Sequence, residues 1–370
     1  MNFDVNKEAA IANKGNWARL KNVMKRARQG EKLTIGFIGG SITQGCLSSV
    51  PETCYAYLVY DWWKKTFPMS TFEYCNAGIG ATTSHLGAAR VEEDLLSAKP
   101  DFVITEFSVN DECNSFFEET YEGLIRKIYS SSTHPGMLIV NNVVYTDGTN
   151  AQEIHNRIGA HYGIPCVSMQ SSIYPEVEKG TFTSRDVTED DLHPNDDGHA
   201  LVTSIITYFL DKILKDLEND EIEPDYPTAL TVNRYESALR YRNKDLSYES
   251  DGFVLDESAQ RDVSDCFKYG WYAGKPKAKL EFDVTGTEIA IQYKRSYERK
   301  CCNATVTIDG DANNAVVLDG NFDEDWGDKL ELTVVAQQLE LKSHHIVIET
   351  ENVSCEVPFY FVSVVAAGRK

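Results

Sequence analysis

Two rhythms of apolar and polar positions alternate through the first part of the chain. From residue 8 to 29 the apolar residues Ala10, Ile11, Trp17, Leu20, Val23, Met24 and Ala27 recur roughly at helical spacing. Gly30 stands where a C-capping glycine belongs. The same spacing predicts helices over residues 56–66, 83–96, 117–129 and 151–162, and a long one ending near Leu217. Between them lie short, mainly apolar runs at 33–38, 72–75, 102–107, 137–145 and 165–168. Short apolar strands alternating with helices predict a parallel sheet covered on both faces, an α/β fold.

The pattern changes after the acidic stretch "KDLENDEIEPDYP" at residues 215–227. Beyond it, "KLEFDVTGTEIAIQYK", "ATVTIDGDANNAVVLDG", "KLELTVV", "HHIVIETE" and "FYFVSVVAAG" alternate with period two between turn residues. That texture predicts an antiparallel β-sandwich. A chain of 370 residues also exceeds what one core usually serves. Two domains are expected, residues 1–222 and 223–370.

Charge and cysteines narrow the function classes. A net charge of −21 repels nucleic acids and anionic membrane surfaces, and a neutral substrate suits it better. No apolar run reaches the roughly 18–20 residues of a membrane span. The opening "MNFDVNKEAA" lacks the apolar centre of a signal peptide. Nine cysteines are an odd number, with no C-x-x-C pair and with Cys301 and Cys302 adjacent. Reduced thiols in a cytoplasm are expected rather than a disulfide framework, and no zinc site.

Candidate chemistry begins in "KLTIGFIGGSITQG", where the first apolar run hands the chain to Ser41. Functional groups of parallel sheets collect at the carboxyl ends of strands. A serine hydroxyl needs a neighbouring base to act as a nucleophile. "TEDDLHPNDDGH" supplies one in His193, with Asp190 three positions before it. Asp191 is the alternative orienting acid, and Pro194 suits a first helical position. A metal site built from Asp190, Asp191, His193 and His199 is the competing reading, disfavoured because Pro194 and a helix at His199 would scatter the ligands. Two more stretches offer oxyanion donors: Gly78 of "NAGIGATTS" and Asn110 of "FSVND".

Ser41, Gly78, Asn110 and His193, in that order, resemble the four blocks of the SGNH, or GDSL, hydrolase superfamily. The resemblance implies a flavodoxin-like three-layer domain, with Ser41 as nucleophile, His193 as base and Asp190 orienting it. It further implies an oxyanion hole made by the Ser41 N–H, the Gly78 N–H and the Asn110 amide. "GGSIT" replaces the usual G-D-S-L, and Ser108 stands where a glycine is common. G-G-S-I-T variants are similar to carbohydrate esterases more than to lipases. An α/β-hydrolase elbow fits less well, because Thr43 occupies its final glycine position.

The tail resembles a galactose-binding-like jelly roll of the carbohydrate-binding-module type. The whole arrangement is similar to the two-domain mannan acetylesterases of gut bacteria. That similarity implies a cytoplasmic enzyme, without cofactor or metal, whose partner is an acetylated (gluco)manno-oligosaccharide. Acetylxylan esterase, or broad acyl esterase and thioesterase, activity is the alternative within enzymes. A non-catalytic carbohydrate-binding protein is the alternative outside them. Trp326 in "DGNFDEDWGDKL" is expected either to stack on a sugar or to fold into the sandwich. "DGDANNAVVLDG" lacks the central glycine and final glutamate of a calcium loop, so Asp309-Gly310 reads as a hairpin turn.

Overall fold

The computed structural model describes residues 3–297 and 299–368. It divides into two compact units, Met1–Asn233 and Arg234–Lys370. The division falls later than the expected 222/223. The segment after the acidic stretch stays with the first unit because the buried carboxylate of Glu122 accepts the N–H groups of Leu230 and Thr231 at 2.6 and 2.7 Å.

The first unit is built on six strands: β1 (Ile11–Asn13), β2 (Lys32–Gly39), β3 (Thr71–Gly78), β4 (Phe102–Glu106), β5 (Gly136–Asn141) and β6 (Cys166–Ser168). Their order is β1-β6-β5-β4-β2-β3. Neighbours from β2 to β6 run parallel, while β1 pairs antiparallel with β6. The edge strand β1 corrects the single helix expected over residues 8–29. Gly15, at φ 61°, breaks the backbone there, and the helix starts only afterwards.

The helices are α1 (Ala18–Arg28), α2 (Ser41–Gln44), α3 (Tyr55–Thr66), α4 (Ser84–Asp94), α5 (Ser115–Tyr129), α6 (Gln152–His161), α7 (Tyr174–Glu178) and α8 (Asp196–Lys215). One face of the sheet packs against α1, α3 and α8, the other against α4, α5 and α6. Alternation along β2 explains this: Leu33, Ile35 and Phe37 enter the core with Met24, Trp63 and Phe209. Each large apolar side chain buried in this way contributes about 1.5–3 kcal/mol. The short α7 was not foreseen, its five residues being too few to show a period.

What positions chemistry is the level at which the central strands end. In the parallel register Gly39 of β2 lies opposite both Gly78 of β3 and Glu106 of β4. The turns carrying Ser41 and Asn110, and the one after Gly78, therefore leave the sheet side by side.

The second unit contains β7 (Leu239–Tyr241), β8 (Tyr248–Asp251), β9 (Phe253–Leu255), β10 (Trp271–Ala273), β11 (Lys279–Gly286), β12 (Glu288–Arg295), β13 (Ala304–Ile308), β14 (Val316–Leu318), β15 (Lys329–Ala336), β16 (Lys342–Thr350) and β17 (Tyr360–Ala367). One antiparallel sheet runs β15-β12-β17-β10-β9, with β7 also on β17, and the other runs β14-β13-β16-β11-β8. Leu280, Phe282 and Ile346 of one sheet share a core with Ile291, Phe361 and Val364 of the other. This is the face-to-face sandwich its alternation predicts. Asp309 and Gly310, at φ 52° and 73°, form a tight turn closed by the Asp311 N–H on the Ile308 carbonyl at 3.0 Å. The cysteine expectation is corrected here, because Cys302 and Cys355, 53 residues apart in sequence, form a disulfide. Spacing could not show it, since β16 and the approach to β17 bring the two together.

Candidate active site

Ser41 opens the four-residue helix α2, so its N–H has no partner within the helix. The two glycines before it make room for neighbours. A Cβ on Gly40 would meet Asn110 Oδ1 at 2.3 Å, and one on Gly39 would meet Thr43 Oγ1 at 2.2 Å. The Asn110 carboxamide thus lies against the chain beside Ser41.

The Ser41 hydroxyl lies 2.8 Å from His193 Nε2. His193 Nδ1 lies 2.6 Å from Asp190 Oδ2, and the main-chain N–H of His193 donates to Asp190 Oδ1 at 2.7 Å. The carboxylate fixes the tautomer: Nδ1 carries the proton, and the Nε2 lone pair faces the hydroxyl. Leu192 N–H and Thr188 Oγ1 also donate to Asp190, at 3.0 and 3.1 Å. Burial works to raise the Asp190 carboxyl, but the His193 ring and the N–H groups of His193 and Leu192 prevail and hold it below its ordinary range. Burial likewise works to lower His193. It is outweighed by Cys46 and by Asp190, which together push the imidazole up to about 9.

The neighbouring acids and histidine go elsewhere. Asp191 sits in the left-handed region at φ 64°, and its carboxylate pairs with Arg185. His199 is fully buried on α8, where its Nδ1 accepts the Tyr55 N–H at 3.3 Å and its Nε2 faces the Cys46 carbonyl at 3.3 Å. Burial lowers it to about 4, so it stays neutral and ties α8 to α3 and to the segment after Ser41. Among the described residues no group of three or more His, Cys, Asp and Glu is placed to hold a metal ion. Pro194 does not begin the helix as expected. Asn195 is the N-cap, accepting the Gly198 N–H at 2.9 Å, and α8 starts at Asp196.

The oxyanion donors fall out differently from the expectation. The Gly78 N–H still belongs to β3 and donates to Asn76 Oδ1 at 2.9 Å, so it is committed within the protein. A Cβ there would meet Gln44 N at 2.2 Å, which accounts for the glycine by close packing under α2. Gly80, two residues on and not singled out from the sequence, lies beside Ser41. A Cβ there would lie 3.7 Å from Ser41 Cβ, and its N–H donates to the side chain of Gln44 at 2.6 Å. Asn110 is fixed from behind by its neighbour: Asp111 accepts the Ser84 N–H at 2.8 Å and lies 3.1 Å from buried His155.

The GDSL-like lipase/acylhydrolase family model matches residues 37–201. A crystal structure of a two-domain esterase active on acetylated mannans is 54% identical, covers 99% of this chain and 100% of its own, and superposes with a TM-score of 0.97. The chain belongs to the SGNH, or GDSL-like, hydrolases. A second crystal structure, of such an esterase co-crystallised with mannopentaose, is also 54% identical, covers 100% of this chain and 99% of its own, and has a TM-score of 0.96. Comparison with curated proteins returns no match.

One further residue of this SGNH hydrolase holds the segments of Ser41 and His193 together. Asp196, three positions after His193, accepts Ser49 N–H at 2.8 Å, Ser49 Oγ at 2.6 Å and Thr53 Oγ1 at 2.6 Å. It anchors the loop after Ser41 to the start of α8. In the sequence it is only one of two adjacent acids in "NDDGH". Trp326 belongs to the second unit, where it is 54% exposed, meets Phe322 edge-to-face at 4.9 Å and donates from Nε1 to Glu324 at 2.8 Å.

Proposed function

We propose that the protein is a serine carbohydrate esterase that removes O-acetyl groups from acetylated (gluco)manno-oligosaccharides through an acetyl-enzyme. The observation that carries the reading is the continuous contact Ser41 Oγ–His193 Nε2–Asp190, at 2.8 and 2.6 Å. As Ser41 Oγ attacks the acetyl carbonyl carbon, its proton passes to His193 Nε2, and Asp190 stabilises the imidazolium. The carbonyl oxygen becomes an oxyanion, received by the Ser41 and Gly80 N–H groups and the Asn110 amide. Gln44 gives up the Gly80 N–H for this. The tetrahedral intermediate collapses, the sugar hydroxyl leaves with the proton from His193, and the acetyl group stays on Ser41. Water, deprotonated by His193, then releases acetate and restores the serine.

Mannan as the substrate backbone is supported by 54% identity over the full length of an esterase described as active on acetylated mannans. In the second unit the exposed indole of Trp326 offers a flat apolar face of the kind that sugars stack on. Among the described residues no helix is long and apolar enough to cross a membrane. The cytoplasmic address expected from reduced thiols loses that support with the Cys302–Cys355 disulfide. Mass spectrometry of acetylated mannan and xylan oligosaccharides after incubation tests the proposal. Loss of acetyl from mannan oligosaccharides is expected, and deacetylation of xylan alone would overturn the choice of backbone.

A further inference from the structure

Beneath the nucleophile lies a buried carboxyl that the reaction above does not use. Glu106 ends β4 opposite Gly39 and is 0% exposed. Its main-chain carbonyl accepts the Gly40 N–H at 3.2 Å. Its Oε2 accepts from Thr43 Oγ1 at 3.3 Å, and Thr43 Oγ1 lies 2.8 Å from the Tyr55 hydroxyl. Thr43 and Tyr55 are themselves fully buried. Glu106 Oε1 is buried without a well-formed hydrogen bond. The side chain of Asn142 lies beside the carboxyl, its amide nitrogen also buried without a well-formed hydrogen bond.

Burial raises this carboxyl to about 7, with Asp111 adding to the rise and Asn142, Thr43 and Ser108 opposing it. Stability alone does not account for an acid in such a place, because apolar side chains of similar volume fill buried sites without the desolvation penalty. Its contacts are better explained by what they connect. Thr43 sits on α2 two residues after Ser41, and Glu106 itself stands at the end of β4, four residues before Asn110.

We propose that Glu106 is a positioning residue for ester hydrolysis, setting the Ser41 turn, through Thr43, against the Asn110 turn that its own strand leads into. Nucleophile and oxyanion donor thereby keep one separation through the reaction. The inference rests on the proposed Ser41 chemistry. Misplacement by about 1 Å at a reacting centre costs up to about 100-fold, so the effect belongs in kcat.

The test compares Glu106→Ala, Glu106→Gln, Thr43→Val and the Glu106→Ala/Thr43→Val double variant on p-nitrophenyl acetate, with circular dichroism confirming the fold. Glu106→Ala is expected to lower kcat by about 10–100-fold with KM changed less than about threefold. Glu106→Gln, which keeps the shape, is expected to recover most of that loss. The double variant is expected to be no slower than the slower single one, because both remove the same coupling. Should Glu106→Ala fail to fold, Thr43→Val and Glu106→Gln carry the comparison. A folded Glu106→Ala or Thr43→Val with native kcat, or losses that multiply in the double variant, overturns the proposal. An inactive native enzyme would instead end the esterase reading and this one with it.

Discussion

Asp190 holds His193 at two points, the ring Nδ1 at 2.6 Å and the main-chain N–H at 2.7 Å, one from each carboxylate oxygen. The second contact fixes the backbone that carries the first. A spacing of three residues works here because the intervening turn, with Asp191 at φ 64°, folds the chain back on itself. Asp190→Ala should therefore lower kcat for an aryl acetate by about 100-fold or more, whereas Asp191→Ala should leave it within about threefold. Steady-state kinetics of the two variants decide between the acids, and the reverse order of losses would assign the role to Asp191.

The pH profile follows from the same imidazole. His193 acts as a base only when neutral, and its neighbours push it up to about 9. kcat/KM should then rise with pH and level off above about 9. Cys46 is the first of the neighbours raising it, so Cys46→Ala should move the midpoint downwards and increase relative activity below it. The linked stability has the opposite sense. The folded-state value lies above the ordinary 6.5, so the contribution of His193 is complete below 6.5 and is lost as pH rises through about 9. A midpoint unmoved in Cys46→Ala would show that the thiol does not act on His193.

Asn110 and the two glycines separate catalysis from packing. Asn110→Ala removes a proposed oxyanion donor and should cut kcat by about 10²–10³ while KM changes little. Gly78→Ala places a Cβ 2.2 Å from the Gln44 main chain and should lower Tm, because backbone cannot move aside as a side chain can. At Gly80 the nearest contact of a Cβ is the Gln44 side chain at 3.1 Å, so Gly80→Ala should keep the Tm close to native. Thermal denaturation of the two variants would contradict this if Gly80→Ala proved the less stable.

The elements legible in the sequence were those whose signal is local. Ser41 and Asn110 each follow a short, mainly apolar strand, and His193 and Asp190 share one short turn. Parallel register then sets the strand ends level, which no single segment reveals. Gly78 misled for this reason: it lies in the expected stretch, but β3 runs through it and takes its N–H, leaving Gly80 beside Ser41. Asp196 and Glu106 stayed hidden because their partners are 147 and 63 residues away. The Cys302–Cys355 pair, spanning 53 residues, was lost in the same way. Residues 8–29 failed differently, since a three-residue edge strand carries too few positions to interrupt a helical period.

Trp326 offers a check on the substrate. Its ring is exposed and rests edge-on against Phe322 rather than in the sandwich core. Trp326→Ala should raise KM several-fold for an acetylated manno-oligosaccharide and leave p-nitrophenyl acetate hydrolysis nearly unchanged. Equal losses on both substrates would remove the indole from sugar recognition.

The central claim is that Ser41 carries the acyl group. Rapid acid quenching of the enzyme during turnover of p-nitrophenyl acetate, followed by peptide mass spectrometry, tests it most directly. The account predicts one acetyl group on the peptide that contains Ser41, localised to that hydroxyl and absent from Ser41→Ala, which should not turn over. Acetyl on another side chain, the nearby thiol of Cys46 included, or undiminished turnover by Ser41→Ala, would contradict it.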